Sequence, residues 1–250
     1  MNNAITLPDP EKLSERVLKR VGVLEPPVEV ESVLGVWKEL RLVDEDLDGS
    51  GYLLPMGKLG GEIIVNRNDP PERKRFTIAH ELGHWVLGLI WKKKSGEFKQ
   101  PPGVPYAVIE RWCDKFATNL LMPRFLVEPW IALPDKPLFI DAILRASGAF
   151  KVSDEAFFLR VSELRQIQVL ILKSRPMQEI TLERNFGEKS KEGLLLDWFR
   201  SPEVYSQLQV SGALVAFSGM MGDYRVHCSG RRISSDKLVM AVSWEYDHHG

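Results

Sequence analysis

Apolar positions open the chain at helical spacing: Leu13, Val17 and Leu18 follow Pro10 and predict a short amphipathic helix. A second helix is predicted within "EPPVEVESVLGVWKEL", after the Pro26-Pro27 break. The period then shortens. "GYLLP" (51–55) and "GEIIVN" (61–66) read as strands joined through the glycine-rich "GKLGG". "DPPERKRFTIAHELGHWVLGLI" restores the helical period over a long run, with Asp69 placed as N-cap and Pro70-Pro71 suited to the first turn. A charged, proline-containing loop of about fifteen residues leads to a second strong helix, "YAVIERWCDKFATNLLMP", which Pro123 ends. Further helices are predicted from Asp141 to Ala149 and over "SDEAFFLRVSELR", the latter capped by Ser153 with Ala156 at its third position.

From Gln166 onward the texture changes. "IQVLILK", "GALVAFS", "YRVHCS" and "KLVMAVSWEY" are short β-like runs punctuated by Gly, Ser and Pro. The expected fold class is therefore α+β. A mainly helical core with a small mixed sheet fills residues 1–165, and a small β-rich region fills 166–250, with the boundary near residue 165. No internal repeat is visible.

Composition adds little and excludes several classes. The 250 residues are 44% hydrophobic and 27% charged, with a formal net charge of -1, so there is no basic footprint of a nucleic-acid binder. The local runs "WKKKSG" (91–96) and "DEDLD" (44–48) read as solvated loops. Two cysteines, Cys113 and Cys228, make no disulfide framework. The N-terminus lacks the pattern of a secretory signal, and no window is apolar over the ~18 residues that a membrane span needs. A cytoplasmic protein with no membrane partner is expected.

One stretch carries chemistry. "FTIAHELGHW" (76–85) places His80 and His84 four residues apart in an apolar run, with Glu81 beside them. On a helix these imidazoles share one face and can reach one ion. This is HExxH, in which two histidines bind zinc and the glutamate is general base toward the activated water. Gly83 removes a side chain next to the second histidine and permits close approach of another backbone. A helical glycine costs roughly 1 kcal/mol against alanine, so it needs a packing or functional reason.

A zinc site that keeps one position open requires a third protein ligand. In "IERWCDKFATNLLMP", Glu110 and Asp114 are again one turn apart. Glu110 is assigned to the metal, and Asp114 to the outer nitrogen of a ligand histidine, fixing its tautomer. Cys113 shares the stripe and is itself able to bind metal, although a buried inert thiol is the plainer reading. The alternative for the two acids is a solvated helix face. "GEIIVN" is the natural strand for an extended substrate to pair with, unless both of its edges are already occupied.

Together, "RFTIAHELGHW" and, some 25 residues later, "E..CD.FATNLLMP" resemble the ImmA/IrrE family of metallopeptidases. The second motif of that family has the form E-x-E-A-N-x-F-A-x-x-L-L-M-P. Glu110, Phe116, Ala117, Leu120, Leu121, Met122 and Pro123 match it. Trp112 stands where a second acid is frequent, Cys113 replaces alanine and Asp114 replaces asparagine. Loss of the second acid leaves Glu110 as the one glutamate available. The resemblance spans residues 25–165 and implies a zincin-like, specifically gluzincin-like, core. Zinc is the implied cofactor, with another divalent metal such as manganese as a cellular substitute. The implied activity is cleavage of a helix-turn-helix repressor of the XRE type, which derepresses stress or mobile-element genes. The DNA contact would belong to that partner. Some members carry a GAF-like sensor domain after the protease, so residues 166–250 are sensor-like by analogy, although short for that role.

Tyr106, Arg73, Arg75 and His227 are candidates for contacts to the transition state or substrate. Arg73, Lys74 and Arg75 oppose the helix dipole, and a structural ion pair is their plainer use. His227 is equally an ordinary strand histidine, and His248 and His249 are a weak metal-like pair at the chain end. Two other functions compete: a general peptidase without a dedicated substrate, and a regulatory binding module with a structural metal that senses a ligand through its C-terminal region. Glu81 argues against the module, because a structural site requires no general base.

Overall fold

The computed structural model describes residues 6–57, 60–95, 98–131, 139–165, 167–173, 180–187, 189–209, 214–233 and 237–246. The chain forms two compact units, one of Met1–Leu126 with Ala149–Val152 and one of Val127–Gly148 with Ser153–Gly250. The class is α+β, and among the described residues no helix is long and apolar enough to cross a membrane.

The first unit opens with α1 (Pro10–Val21), whose N-terminal amides of Glu11 and Lys12 donate to Asp9 Oδ1. A shorter α2 (Val30–Leu34) follows, much briefer than the sequence pattern suggests. What reads as the end of that helix and an acidic loop is instead β1 (Leu40–Glu45), which takes in Asp44 of the "DEDLD" run. Its own alternation is weak. Parallel pairing with β3 defines it, from Leu40 opposite Gly61 to Glu45 opposite Asn66.

Strands β2 (Gly51–Pro55) and β3 (Gly61–Asn66) have the predicted bounds and pair antiparallel. The sheet order is β1-β3-β2, so "GEIIVN" is the central strand and both its edges are taken. The expectation that it offers a free edge to substrate is thereby corrected. The run Ile63, Ile64, Val65 is buried on both faces, the mark of an interior strand. Among the described residues the outer edges of the sheet belong to β1 and β2. Asn66 N–H donates to Ser50 O and Met56 N–H to Gly60 O at the two ends of the β2–β3 ladder. By alternation Gly51, Leu53 and Pro55 turn their backbone groups away from β3.

Helix α3 (Pro71–Ser95) starts one residue later than predicted, so Pro70, not Asp69, precedes it and accepts from Lys74 N–H. It also runs further. Trp91–Ser95 continue the helix, because lysine is a good helix former and suits the negative C-terminal end. The solvated-loop reading of "WKKKSG" is corrected accordingly. Helix α4 (Tyr106–Leu121) packs on α3 and on α1. Trp112 stacks on Phe116 and donates from Nε1 to Pro8 O at 2.6 Å. Trp112 thus ties the N-terminal segment to α4. Helix α5 (Arg124–Ile131) leads on.

The second unit holds α6 (Phe139–Phe150, its last residues in the first unit) and α7 (Asp154–Arg165), where Ala156 N–H donates to Ser153 Oγ as the cap predicts. Its antiparallel sheet has the order β5-β4-β8-β7-β6: β4 (Gln168–Lys173), β5 (Thr181–Phe186), β6 (Leu214–Met221), β7 (Tyr224–Arg232) and β8 (Lys237–Tyr246). The β-rich reading misses two helices between β5 and β6, α8 (Glu192–Arg200) and α9 (Pro202–Gln209). Leu195 and Phe199, one turn apart, and Val204 and Leu208, also one turn apart, pack against Leu170, Leu172, Val226 and Met240 of the sheet. This unit also contains a cavity of about 610 Å³ lined by Leu159, Ser162, Glu163, Ile167, Lys191 and Trp244 among others.

Candidate metal centre

Helix α3 is apolar on almost every side. Ile78, Ala79, Leu82, Trp85, Val86 and Leu87 are buried around the two histidines, so the helix is held rigidly and its register is fixed. A methyl at Gly83 would stand 3.3 Å from Cys113 Cα, Cys113 Sγ and Phe116 Cδ1, so the glycine lets α4 close on α3 beside the motif. That contact brings Glu110 opposite the histidines.

The three side chains converge. His80 Nε2 lies 3.2 Å from His84 Nε2, 3.4 Å from Glu110 Oε2, and His84 Nε2 lies 3.1 Å from Glu110 Oε1. Donors at about 2.0–2.1 Å on a tetrahedral zinc ion stand about 3.3 Å apart, so this spacing fits one ion among them. Glu110 Oε1 is buried, and His84 Nε2 at 3.1 Å satisfies it only while that nitrogen carries a proton. A buried carboxylate oxygen without a partner is costly, and a cation removes that cost. Cys113 Sγ also belongs to the neighbourhood, within 4.8 Å of one ligating atom of each histidine. Glu110 fits better: its oxygens have the spacing of a coordination edge, whereas the thiol is fully buried against Gly83 and burial pushes its pKa well up, disfavouring thiolate.

The outer atoms are held as well. His80 Nδ1 is 2.9 Å from Asp114 Oδ1, which directs the Nδ1 proton to that carboxylate and leaves Nε2 as a lone pair. Asp114 is half exposed, not buried as its stripe suggests. Gln100, from the segment between α3 and α4, reaches His84 Nδ1 at 3.2 Å. Burial, then the charge of His80, lowers the His84 pKa, while Glu110 acts in the opposite direction.

Glu81 is 8% exposed. Burial raises its carboxyl pKa above the ordinary range, partly offset by His80 and by a hydrogen bond from the backbone N–H of Leu53 on β2. The free edge of β2 therefore lies against the carboxylate of the motif. Tyr106 is 70% exposed, and a hydrogen bond to Glu110 is the main cause of its raised pKa. Neither Leu53 nor Gln100 was a sequence candidate, since a backbone amide and a lone loop glutamine carry no motif.

The remaining candidates are placed elsewhere. Arg75 is buried and donates to Val28 O at 2.8 Å and to Lys151 O at 3.3 Å, so its guanidinium holds backbone rather than facing substrate. Arg73 donates from Nε to Ser50 Oγ at 3.0 Å on the exposed side of the first unit, and Lys74 pairs with Asp44 at 3.0 Å. His227 is on β7 of the second unit, opposite Ser218 and Ser243. His248 and His249 lie outside the described residues.

Comparison with known proteins identifies the family. The model of the IrrE N-terminal-like domain, peptidase family M78, matches residues 36–162. Over 90 residues the chain is 32% identical to the radiation response metalloprotease IrrE of Deinococcus deserti, a match covering 30% of each protein. The chain thus matches under a third of the length of that relative. A Mycobacterium tuberculosis transcriptional regulator superposes with a TM-score of 0.51 over 94% of this chain and 87% of its own, at 14% identity, which shows a shared fold. The family points to metallopeptidase chemistry.

Proposed function

The chain belongs to the IrrE N-terminal-like domain family of M78 peptidases, and on that premise we propose that it is a zinc-dependent endopeptidase acting on a helix-turn-helix repressor of the XRE type. The observation that carries the catalytic part is the convergence of His80 Nε2, His84 Nε2 and Glu110 at 3.1–3.4 Å, with the Glu81 carboxylate beside them.

His80, His84 and Glu110 would hold the ion. When bound, zinc supplies Lewis acidity and makes water a usable nucleophile near neutral pH. The other parts belong to the chain. Glu81 takes a proton from the attacking water onto its carboxylate and returns it to the leaving amine nitrogen. Leu53 N–H fixes the orientation of that carboxylate. Asp114 keeps His80 in the tautomer with a free Nε2. Tyr106, exposed and hydrogen-bonded to Glu110 before substrate arrives, would turn its hydroxyl to a developing oxyanion. An extended substrate pairs with the outer edge of β2 through backbone groups other than the Leu53 N–H, which Glu81 holds, and main-chain hydrogen bonds there give affinity without requiring a particular sequence.

The repressor substrate rests on the family resemblance, and its cleavage would derepress stress or mobile-element genes. Incubation of zinc-loaded protein with the helix-turn-helix repressors of the same organism tests it. One repressor is cut at a defined bond by the wild type and stays intact with Glu81→Gln. Survival of every repressor in both reactions refutes the assignment.

A second reading adds ligand sensing to the C-terminal unit, and the cavity of about 610 Å³ favours it. A metabolite that raises the melting temperature of the wild type, but not of a variant with that cavity filled by Ser162→Phe, supports it.

A further inference from the structure

We infer that Gln100 is a positioning residue for this centre: its side-chain oxygen accepts the Nδ1 proton of His84 and so commits the Nε2 lone pair to the ion. The inference rests on the zinc reading above and names a residue that no motif marks.

Two contacts of Phe98 and the burial of Pro101 deliver Gln100 to the histidine. Phe98 lies over Gly88, where an added methyl would come 2.3 Å from its Cζ, so a glycine is needed for that approach. The same ring packs on Trp85, with centroids 4.9 Å apart, and Pro101 is buried. Residues 98–101 are thus fastened to α3 one turn beyond His84, and Gln100 is set against Nδ1 at 3.2 Å.

The orientation of the amide decides what this contact does. With the amide nitrogen toward the ring, Nε2 of Gln100 donates to Nδ1 of His84. The imidazole proton must then sit on His84 Nε2, pointing at atoms of His80 and Glu110 only 3.2 and 3.1 Å away, where an ion would stand. In that orientation Gln100 Oε1 is buried without a hydrogen bond. Amide oxygen and nitrogen have nearly the same shape, so a half-turn of the group exchanges them. The exchange leaves the amide nitrogen in that buried position, so the amide's own bonding does not choose between the two; the ion does, because with the oxygen accepting Nδ1–H the Nε2 of His84 is left as a lone pair. The two histidines are then equivalent, each giving Nδ1–H to an outer oxygen, Asp114 for His80 and Gln100 for His84.

The chemistry explains a neutral acceptor at His84. Asp114 is half exposed, so its carboxylate stays in contact with solvent. His84 is nearly buried, with the carboxylates of Glu81 and Glu110 already close. An amide oxygen accepts the proton without adding a third desolvated charge.

The test combines ring tautomer and zinc affinity. Long-range proton–nitrogen NMR of the metal-free wild type should show His84 protonated at Nδ1. Competition with a chromophoric chelator should show zinc affinity reduced about 10–100-fold in Gln100→Leu, and within about threefold of wild type in Gln100→Glu, whose carboxylate can accept but not donate. Thermal unfolding of the metal-free variants checks that both fold. An Nε2–H tautomer in the wild type, an unchanged Gln100→Leu, or a Gln100→Glu as weak as Gln100→Leu overturns the inference. The wild-type tautomer needs no variant and decides even if Gln100→Leu fails to fold. His84→Ala separates the two levels. If it loses zinc while Gln100→Leu keeps it, Gln100 alone is misassigned; if His84→Ala binds zinc like the wild type, the metal reading fails and this inference with it.

Discussion

Glu110 Oε1 is buried and lies 3.1 Å from His84 Nε2. Two groups that both offer lone pairs face each other at the distance of a shared coordination edge, and Cys113 is the only rival sulfur among the described residues of that neighbourhood. Under the proposed ligand set Glu110→Ala is expected to weaken zinc binding by roughly 100-fold or more, since it removes one of the three proposed ligands. Cys113→Ala should hold affinity within about threefold, because a protonated thiol packed on Gly83 gives the ion nothing. Chelator competition on both variants is the check. A loss in Cys113→Ala equal to that in Glu110→Ala would place the sulfur in the ligand set.

Leu53 and Ile64 occupy neighbouring strands with opposite consequences for proline. Leu53 turns its N–H away from β3 and toward Glu81, so Leu53→Pro removes no ladder bond. That variant should keep its zinc and lose no more than a few degrees in melting temperature, yet lose cleavage by roughly 10-fold or more through a misoriented Glu81. Ile64→Pro, in the buried middle strand, should fail to fold stably. Calorimetry alongside a cleavage assay reads both. Unchanged cleavage by a folded Leu53→Pro would remove the edge of β2 from the site.

Gly83 sets the gap between α3 and α4. Alanine would gain about 1 kcal/mol of helix propensity, but its methyl meets the Cys113 backbone, which cannot swing aside. Overpacking typically costs about 1–3 kcal/mol, so a net loss of roughly 1 kcal/mol is expected. Chemical denaturation of Gly83→Ala measures it, and a more stable variant would show that the helices have room to part.

The legible parts of this molecule are those with local signals. "GYLLP" and "GEIIVN" have turn residues on both sides, Ser153 marks its helix by a hydroxyl that caps Ala156, and the HExxH spacing stands on one helix. Illegible were the features set by partners distant in sequence. Strand β1 exists because Leu40–Glu45 lie beside β3, and the burial of β3 on both edges follows from that same pairing. Arg75 looked like a site residue by its place before the motif, but Val28 and Lys151 hold it through backbone carbonyls. The second unit hid its helices α8 and α9 because "GLLLDWF" suits a strand as well as a helix until the sheet it covers is known. Within the site, Glu110 and Asp114 were visible as a helical pair, whereas Leu53 and Gln100 enter through an edge strand and a folded-back connection.

The proposal that this chain is a zinc peptidase is tested most directly by measuring metal content and peptide-bond hydrolysis together on the wild type and Glu81→Gln. Elemental analysis should give about one zinc per chain in both, because Glu81 is no ligand. With a proteome-derived peptide library read by mass spectrometry, the wild type should release new termini, and Glu81→Gln should do so about 100-fold or more slowly. A wild type that binds no zinc, or a zinc-loaded Glu81→Gln that cleaves at the wild-type rate, would contradict the account.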